Sequence, residues 1–194
     1  MKPLYIIYIH GFNSSGIATK SQWLREYLHK NFPDIPYYSP TLIHDPMKAM
    51  QQLDAHLDSL SEVYRFCFVG SSLGGYYAIY LAHHYRDAKA VLINPATTPW
   101  ETMYGYCGNY KNDVTGEEFS VTPEFVACLE RFRCDPLIAP ERFLLLLQTD
   151  DDIVDYRIAK ALFARSPQII RSGGGHSFSD FKEVLPDIMS FFSE

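Results

Sequence analysis

Short apolar runs alternate along this chain with longer stretches of helical period, and that alternation restricts it to few architectures. Residues 4–9 read as a buried strand, after which Trp23, Leu24, Tyr27 and Leu28 recur at helix spacing. A second strand reads at 36–39. Met47, Met50, Leu53, Leu57 and Leu60 then share one helix face, a stripe that resembles a methionine-rich binding surface but that core packing accounts for. Further strands read at 65–69, 90–93, 142–147 and 168–170, with helices at 73–85, 155–163 and 178–192. Pro186 should start or kink the last helix, because it cannot donate a helix hydrogen bond. Strands that alternate with helices build a parallel sheet covered on both faces, and right-handed crossovers leave few topologies. The expectation is an α/β fold with a mostly parallel six-stranded sheet in the order 2-1-3-4-5-6. In such sheets the working groups gather at the carboxyl ends of the strands.

One stretch breaks the alternation. Residues 97–140 carry Gly105, Gly108 and Gly116, several prolines and the aromatics Trp100, Tyr104, Tyr106, Tyr110, Phe119 and Phe125. Thr122-Pro123 has the form of a helix cap and first helical position, opening a short helix through Arg133. A long insertion above a sheet is usually functional, so 97–140 is expected to be lid-like, with Trp100, Tyr104 and Tyr106 walling a substrate pocket. At 194 residues the chain suits one well-buried core rather than two, so 1–194 is expected to form one domain.

The sharpest motif is Gly70-Ser71-Ser72-Leu73-Gly74-Gly75, set between the 65–69 strand and a helix. It fits G-x-S-x-G, in which a serine sits on a turn so tight that its Oγ projects above the sheet. Residues two positions either side must lack a Cβ because strand and helix pass close there. A phosphate cradle would need Gly-Lys-Ser/Thr, whereas Tyr76 and Tyr77 follow the glycines here, and a dinucleotide G-x-G-x-x-G is absent. Ser72 is therefore the candidate nucleophile.

The chemistry that a serine nucleophile performs requires an oxyanion site, a base and an acid. His10-Gly11-Phe12 follows the first strand, which points to the Phe12 N–H as one oxyanion donor beside the Leu73 N–H. His10 ends a buried strand and reads as a structural hydrogen-bonder. Ser172-Gly173-Gly174-Gly175-His176 places a histidine on a glycine-rich turn after the last strand, so His176 is the candidate base. Gln148-Thr149-Asp150-Asp151-Asp152-Ile153-Val154-Asp155 follows the fifth strand. Its aspartates lack the alternation of a calcium loop. Asp151 stands out through Asp-x-Ile-Val, whose apolar pair anchors such loops; Asp152 and Asp155 are alternatives, and Asp155 also suits a helix cap. The order Ser72, Asp151, His176 is that of α/β-hydrolases. It leads to acyl transfer to water through an acyl-enzyme, needing neither metal nor organic cofactor. The same residues would serve an acyltransferase or a C–C hydrolase, and a non-catalytic binding module would keep the fold without the reaction.

Charge and cysteine usage narrow the partners. The net charge is −6 and no Lys/Arg cluster appears, which disfavours nucleic acid and anionic membrane surfaces. There is no apolar run of about 18 residues that could span a bilayer, and no signal-peptide pattern. Cys67, Cys107, Cys128 and Cys134 show neither CxxC nor zinc spacing, so reduced thiols in the cytoplasm are expected.

Taken together, HGFNS, GSSLGGYYA, INPA, QTDDDIVDY and GGGHSF resemble the YqiA/YcfP family of small bacterial α/β-hydrolase esterases. The likeness extends to Tyr106-Cys107-Gly108-Asn109 and Val114-Thr115-Gly116-Glu117 in the insertion. The resemblance implies hydrolysis of short acyl esters or acyl thioesters, with Ser72, Asp151 and His176 at the matching positions. Related sequences tend to Thr-Gly-Asp where this chain has Thr149-Asp150-Asp151. Asn94, in Asn94-Pro95-Ala96, is expected to tie loops together at the strand ends.

Overall fold

A computed structural model describes residues 2–134 and 139–194. In chain order the elements begin β1 (Leu4–Ile9), α1 (Thr19–Asn31), β2 (Tyr37–Tyr38), α2 (Pro46–Leu57), β3 (Arg65–Ser71), α3 (Leu73–His84) and β4 (Lys89–Ile93). They continue α4 (Pro99–Thr102), β5 (Gly108–Lys111), β6 (Glu118–Val121), α5 (Pro123–Leu129), β7 (Phe143–Gln148), α6 (Tyr156–Leu162), β8 (Gln168–Arg171) and α7 (Leu185–Ser193).

Six strands form one parallel sheet in the order β2-β1-β3-β4-β7-β8, the winding that the alternation of elements predicts. Each strand divides its residues between two cores because side chains alternate across a pleated sheet. Ile7, Ile9, Phe68, Leu92 and Leu145 face α2, α3 and α5, where Met50, Leu53 and Leu57 are buried, so the methionine stripe is core. Ile6, Tyr8, Val69, Ile93 and Leu146 face α1 and α7, against Leu24, Leu28, Ile188 and Phe192. Among the described residues no helix is long and apolar enough to cross a membrane.

Three local features depart from the sequence expectation. The stretch 178–192 is not one helix: Phe178 sits at φ 53°, a short 3-10 turn covers Phe181–Val184, and α7 starts with Pro186 in its first turn. The helix capped by Thr122, whose side chain accepts the Phe125 N–H, stops at Leu129 and tightens into a 3-10 turn over Glu130–Phe132. The insertion also holds an antiparallel hairpin, β5 with β6, that no strand pattern announced. Its residues 135–138 lie outside the described part of the chain.

Register brings the strand ends to a common rim. Ile9 pairs with Gly70, Ser71 with Ile93, Ile93 with Leu146, and Gln148 with Arg171. Every candidate residue outside the insertion follows one of these ends.

Candidate active site

Ser72 occupies the turn between β3 and α3 at φ 55°, ψ −119°, a conformation that costs a non-glycine residue about 1–3 kcal/mol. The turn is held in place by its own backbone. The Ser72 N–H donates to the Ile93 carbonyl at 2.9 Å, and the Ser72 carbonyl accepts from Gly75 at 2.9 Å and Ala96 at 3.1 Å. The flanking glycines are steric requirements. A Cβ on Gly70 would collide with the Gly74 carbonyl, and one on Gly74 with the carbonyls of Ile9 and His10.

His176 follows β8 on a turn whose three glycines all have positive φ: 79°, 78° and 66° at Gly173, Gly174 and Gly175. Its Nδ1 lies 2.8 Å from Asp151 Oδ2 and 3.0 Å from Oδ1. The Asp151 side chain is 1% exposed, and Oδ1 also accepts the N–H groups of Ile153 at 2.9 Å and Val154 at 2.8 Å. Burial works against ionisation here. The hydrogen bonds from His176, Val154 and Ile153 outweigh it and hold the carboxyl below the ordinary carboxylate range. The other two aspartates are elsewhere: Asp155 caps α6 through the Arg157 N–H, and Asp152 is exposed. Asp150 does not have positive φ, so that turn tolerates a side chain there.

Ser72 and His176 line one cleft of about 810 Å³, within the usual range for small-molecule sites. Phe12, Leu73 and Tyr106 line it too. Neither the Phe12 nor the Leu73 N–H is committed to a turn or loop hydrogen bond among the described residues. Trp100 and Tyr104 do not line the cleft. Trp100 turns toward the core, with its ring 5.6 Å from Tyr76 and the Arg133 guanidinium 5.4 Å from its centroid, while Tyr104 points into solvent. From the insertion, Thr102 and Met103 line the cleft beside Tyr106. His10 is buried, accepting the Leu42 N–H on Nε2 at 2.9 Å with Nδ1 2.8 Å from the Gly11 carbonyl. Burial pushes its pKa down, so it sits in the fold as a neutral structural group.

Supporting residues surround the pair. Asn94 donates to the carbonyls of Gly175 at 3.2 Å and His176 at 3.0 Å, and accepts the Gln148 N–H at 3.0 Å, tying β4, β7 and the histidine turn together. Gln148 and Asn112 were not singled out by sequence. Gln148 is wholly buried and its Oε1 accepts the Ser179 N–H; a polar residue ending the run Phe-Leu-Leu-Leu-Leu was its one signal. Asn112 carries no such signal. Its side chain donates to the Ser14 carbonyl at 2.9 Å, joining the hairpin to the loop after β1. Among the described residues no group of His, Cys, Asp and Glu is disposed to hold a metal ion.

The family model described as "Uncharacterised protein family (UPF0227)" matches residues 5–193. The chain belongs to the UPF0227 family. This is the YqiA/YcfP family that the motifs resemble. A UPF0227 protein of Shewanella woodyi is 26% identical over 189 residues, covering 96% of this chain and 98% of its own. Among solved structures, this UPF0227 chain is similar to Est1E from Butyrivibrio proteoclasticus (TM-score 0.73, 17% identity, 99% of this chain and 87% of that one). It is also similar to mouse alpha/beta hydrolase domain-containing protein 10 (TM-score 0.72, 19% identity, 97% and 89%). The fold is thus that of the α/β hydrolases.

Proposed function

We propose that this protein is a serine hydrolase of short acyl esters or thioesters, with Ser72 as nucleophile, His176 as base and Asp151 as the group that orients the base. The observation that carries the reading is the buried Asp151 carboxylate paired to His176 at 2.8 Å, with His176 and the strained Ser72 opening into one cleft.

In the reaction, Ser72 Oγ attacks the substrate carbonyl carbon while its proton passes to His176 Nε2. The amides of Phe12 and Leu73 receive the developing oxyanion. Collapse breaks the bond to the leaving alcohol or thiol, which takes the proton from His176. Water then attacks the acyl-enzyme, giving its proton to His176, and the acid is released as Ser72 recovers its own. Asp151 keeps the imidazole in the tautomer with its proton on Nδ1 and stabilises the imidazolium. Segment 97–134 supplies Thr102, Met103 and Tyr106 to the cleft, and we read it as a lid over the acyl group. The four thiols are free, which supports placing the reaction in the cytoplasm.

Ser72→Ala is expected to lower kcat on 4-nitrophenyl butyrate by about 10⁶ and to abolish labelling by a fluorophosphonate probe. Turnover surviving in the purified variant, or wild type that never labels, overturns the assignment. Product analysis with an added alcohol separates hydrolysis from acyl transfer.

A further inference from the structure

The cleft has an uneven charge. The chain as a whole carries −6, yet none of the described residues lining the cleft is an Asp or Glu. One lysine does line it. Lys20, in the first turn of α1, is half-buried and its Nζ donates to the Ser177 carbonyl at 2.7 Å. That turn contains no acidic residue, and no carboxylate among the described residues lies within ion-pair distance of Lys20. Lys182 places a second ammonium 4.6 Å from the ring centroid of Trp23, which lines the same cleft.

An ammonium has three donors and no acceptor capacity. Here one donor meets a carbonyl and the charge itself is unmatched, while burial disfavours the charged form. A bound anion would supply what the fold leaves out. The position of Lys20 also says which part of the substrate carries that anion. His176 must hand its proton to the departing oxygen, so the leaving group lies beside His176. Lys20 holds the carbonyl of the next residue, Ser177.

We propose that Lys20 binds an anionic group, a carboxylate or a phosphate, on the alcohol portion of the ester, so that the alcohol released is itself an acid. This rests on the ester-hydrolase reading for its chemistry, but the binding of the anion can be measured without turnover.

The test compares butyrate esters of 4-nitrophenol and of 3-carboxy-4-nitrophenol, which share an acyl group and differ by one carboxylate on the leaving side. Wild type is expected to favour the carboxylated ester in kcat/KM by about tenfold or more, the scale of a charge-assisted hydrogen bond. Lys20→Met should remove that preference and Lys20→Arg should keep most of it. An equal fall on both esters in Lys20→Met would show that the ammonium only props the Ser177 carbonyl, and would overturn the proposal. A Lys20-dependent preference for 4-nitrophenyl hemiglutarate, whose anion is on the acyl side, in place of the carboxylated phenol would overturn the leaving-side placement. Calorimetry with 4-hydroxybenzoate and 4-hydroxyphenyl phosphate then tells carboxylate from phosphate. If neither ester is cleaved, the hydrolase reading fails, and calorimetry decides the role of Lys20 by itself. Affinity for at least one of the two acids that falls about tenfold in Lys20→Met sustains that role, and affinity unchanged by the substitution overturns it.

Discussion

The Asp151 carboxylate is shielded from water, so donors inside the fold must meet its charge, and three do: the His176 ring and the amides of Ile153 and Val154. Two consequences follow from that arrangement. Asp151→Asn keeps the size of the side chain but turns an acceptor into a donor where Nδ1–H needs an acceptor. The imidazole then settles in the wrong tautomer, and kcat is expected to fall by about 10⁴, as in other serine hydrolases with this change. Steady-state kinetics on 4-nitrophenyl butyrate would check this, and a variant within tenfold of wild type would rule out the orienting role. The second consequence concerns stability. The folded-state pKa of Asp151 is lowered, so its ionisation stabilises the fold above the unfolded value near 3.9, and that contribution is lost as pH falls through the folded pKa. Urea unfolding should therefore show a stability gap between wild type and Asp151→Asn that holds from pH 7 to about 5 and narrows toward pH 3. At this scale the sequence was informative where a motif concentrates signal. Asp-x-Ile-Val singled out Asp151, and the very amides of that Ile and Val turn out to bind it. It was uninformative for Trp100 and Tyr104, because an aromatic side chain can serve a core or the surface as well as a cleft. Only the packing of α4 and the 3-10 turn after it, Met103–Tyr106, sends Trp100 to the core and Tyr104 to solvent.

At the scale of elements, the turn after β8 sets His176 by its backbone. Gly173 and Gly174 have nearly equal φ, 79° and 78°, so any side chain there meets the same left-handed strain, about 1–2 kcal/mol. Their surroundings differ. A Cβ on Gly173 meets open space, whereas one on Gly174 runs into the side chain of Gln148, which itself holds the Ser179 N–H. Gly173→Ala is therefore expected to cost stability with little loss of kcat. Gly174→Ala should cost more and lower kcat about tenfold or beyond, because relief requires moving either the His176 turn or Gln148. In the double variant Gly174→Ala/Gln148→Ala the two effects should be less than additive, since the collision is gone. Strict additivity in a thermal or urea double-mutant cycle would refute the contact. The three glycines were legible as a free turn next to a histidine. Which glycine is obligatory was not, because the obstacle comes from β7, more than twenty positions away in sequence.

The molecule as a whole is a layered sheet whose rim is completed by an insertion, and the two parts differ in how far sequence reveals them. The four inner strands are runs such as Ile6–Ile9 and Leu144–Leu147, apolar on both faces, while the edge strands β2 and β8 are short and only partly buried. It is the alternation of strands with helices that made their number and order legible. The hairpin of β5 and β6 has only four residues a strand, largely exposed, and leaves no such trace. What joins it to the sheet is equally invisible in sequence: the rings of Tyr110 and Phe119 set 5.1 and 5.8 Å from Phe12, and the bond from Asn112 to Ser14. Since the Phe12 N–H is the proposed oxyanion donor, this junction couples the insertion to the reaction. Asn112 makes the coupling separable from local folding. Its Oδ1 accepts the N–H groups of Val114 and Thr115, shaping the hairpin turn, while its Nδ2 alone reaches Ser14. Asn112→Asp keeps both acceptor bonds, loses the tie and sets a buried carboxylate against the Ser14 carbonyl, whereas Asn112→Ala loses all three bonds without adding a charge. Each is expected to cost about 1–3 kcal/mol or more in stability. Both variants are expected to lower kcat about tenfold through a looser Phe12 amide, so the fall in kcat should track the Ser14 bond and not the loss of stability. If Asn112→Asp retained wild-type kcat while Asn112→Ala did not, the insertion would act on the site by some route other than its grip on the loop after β1.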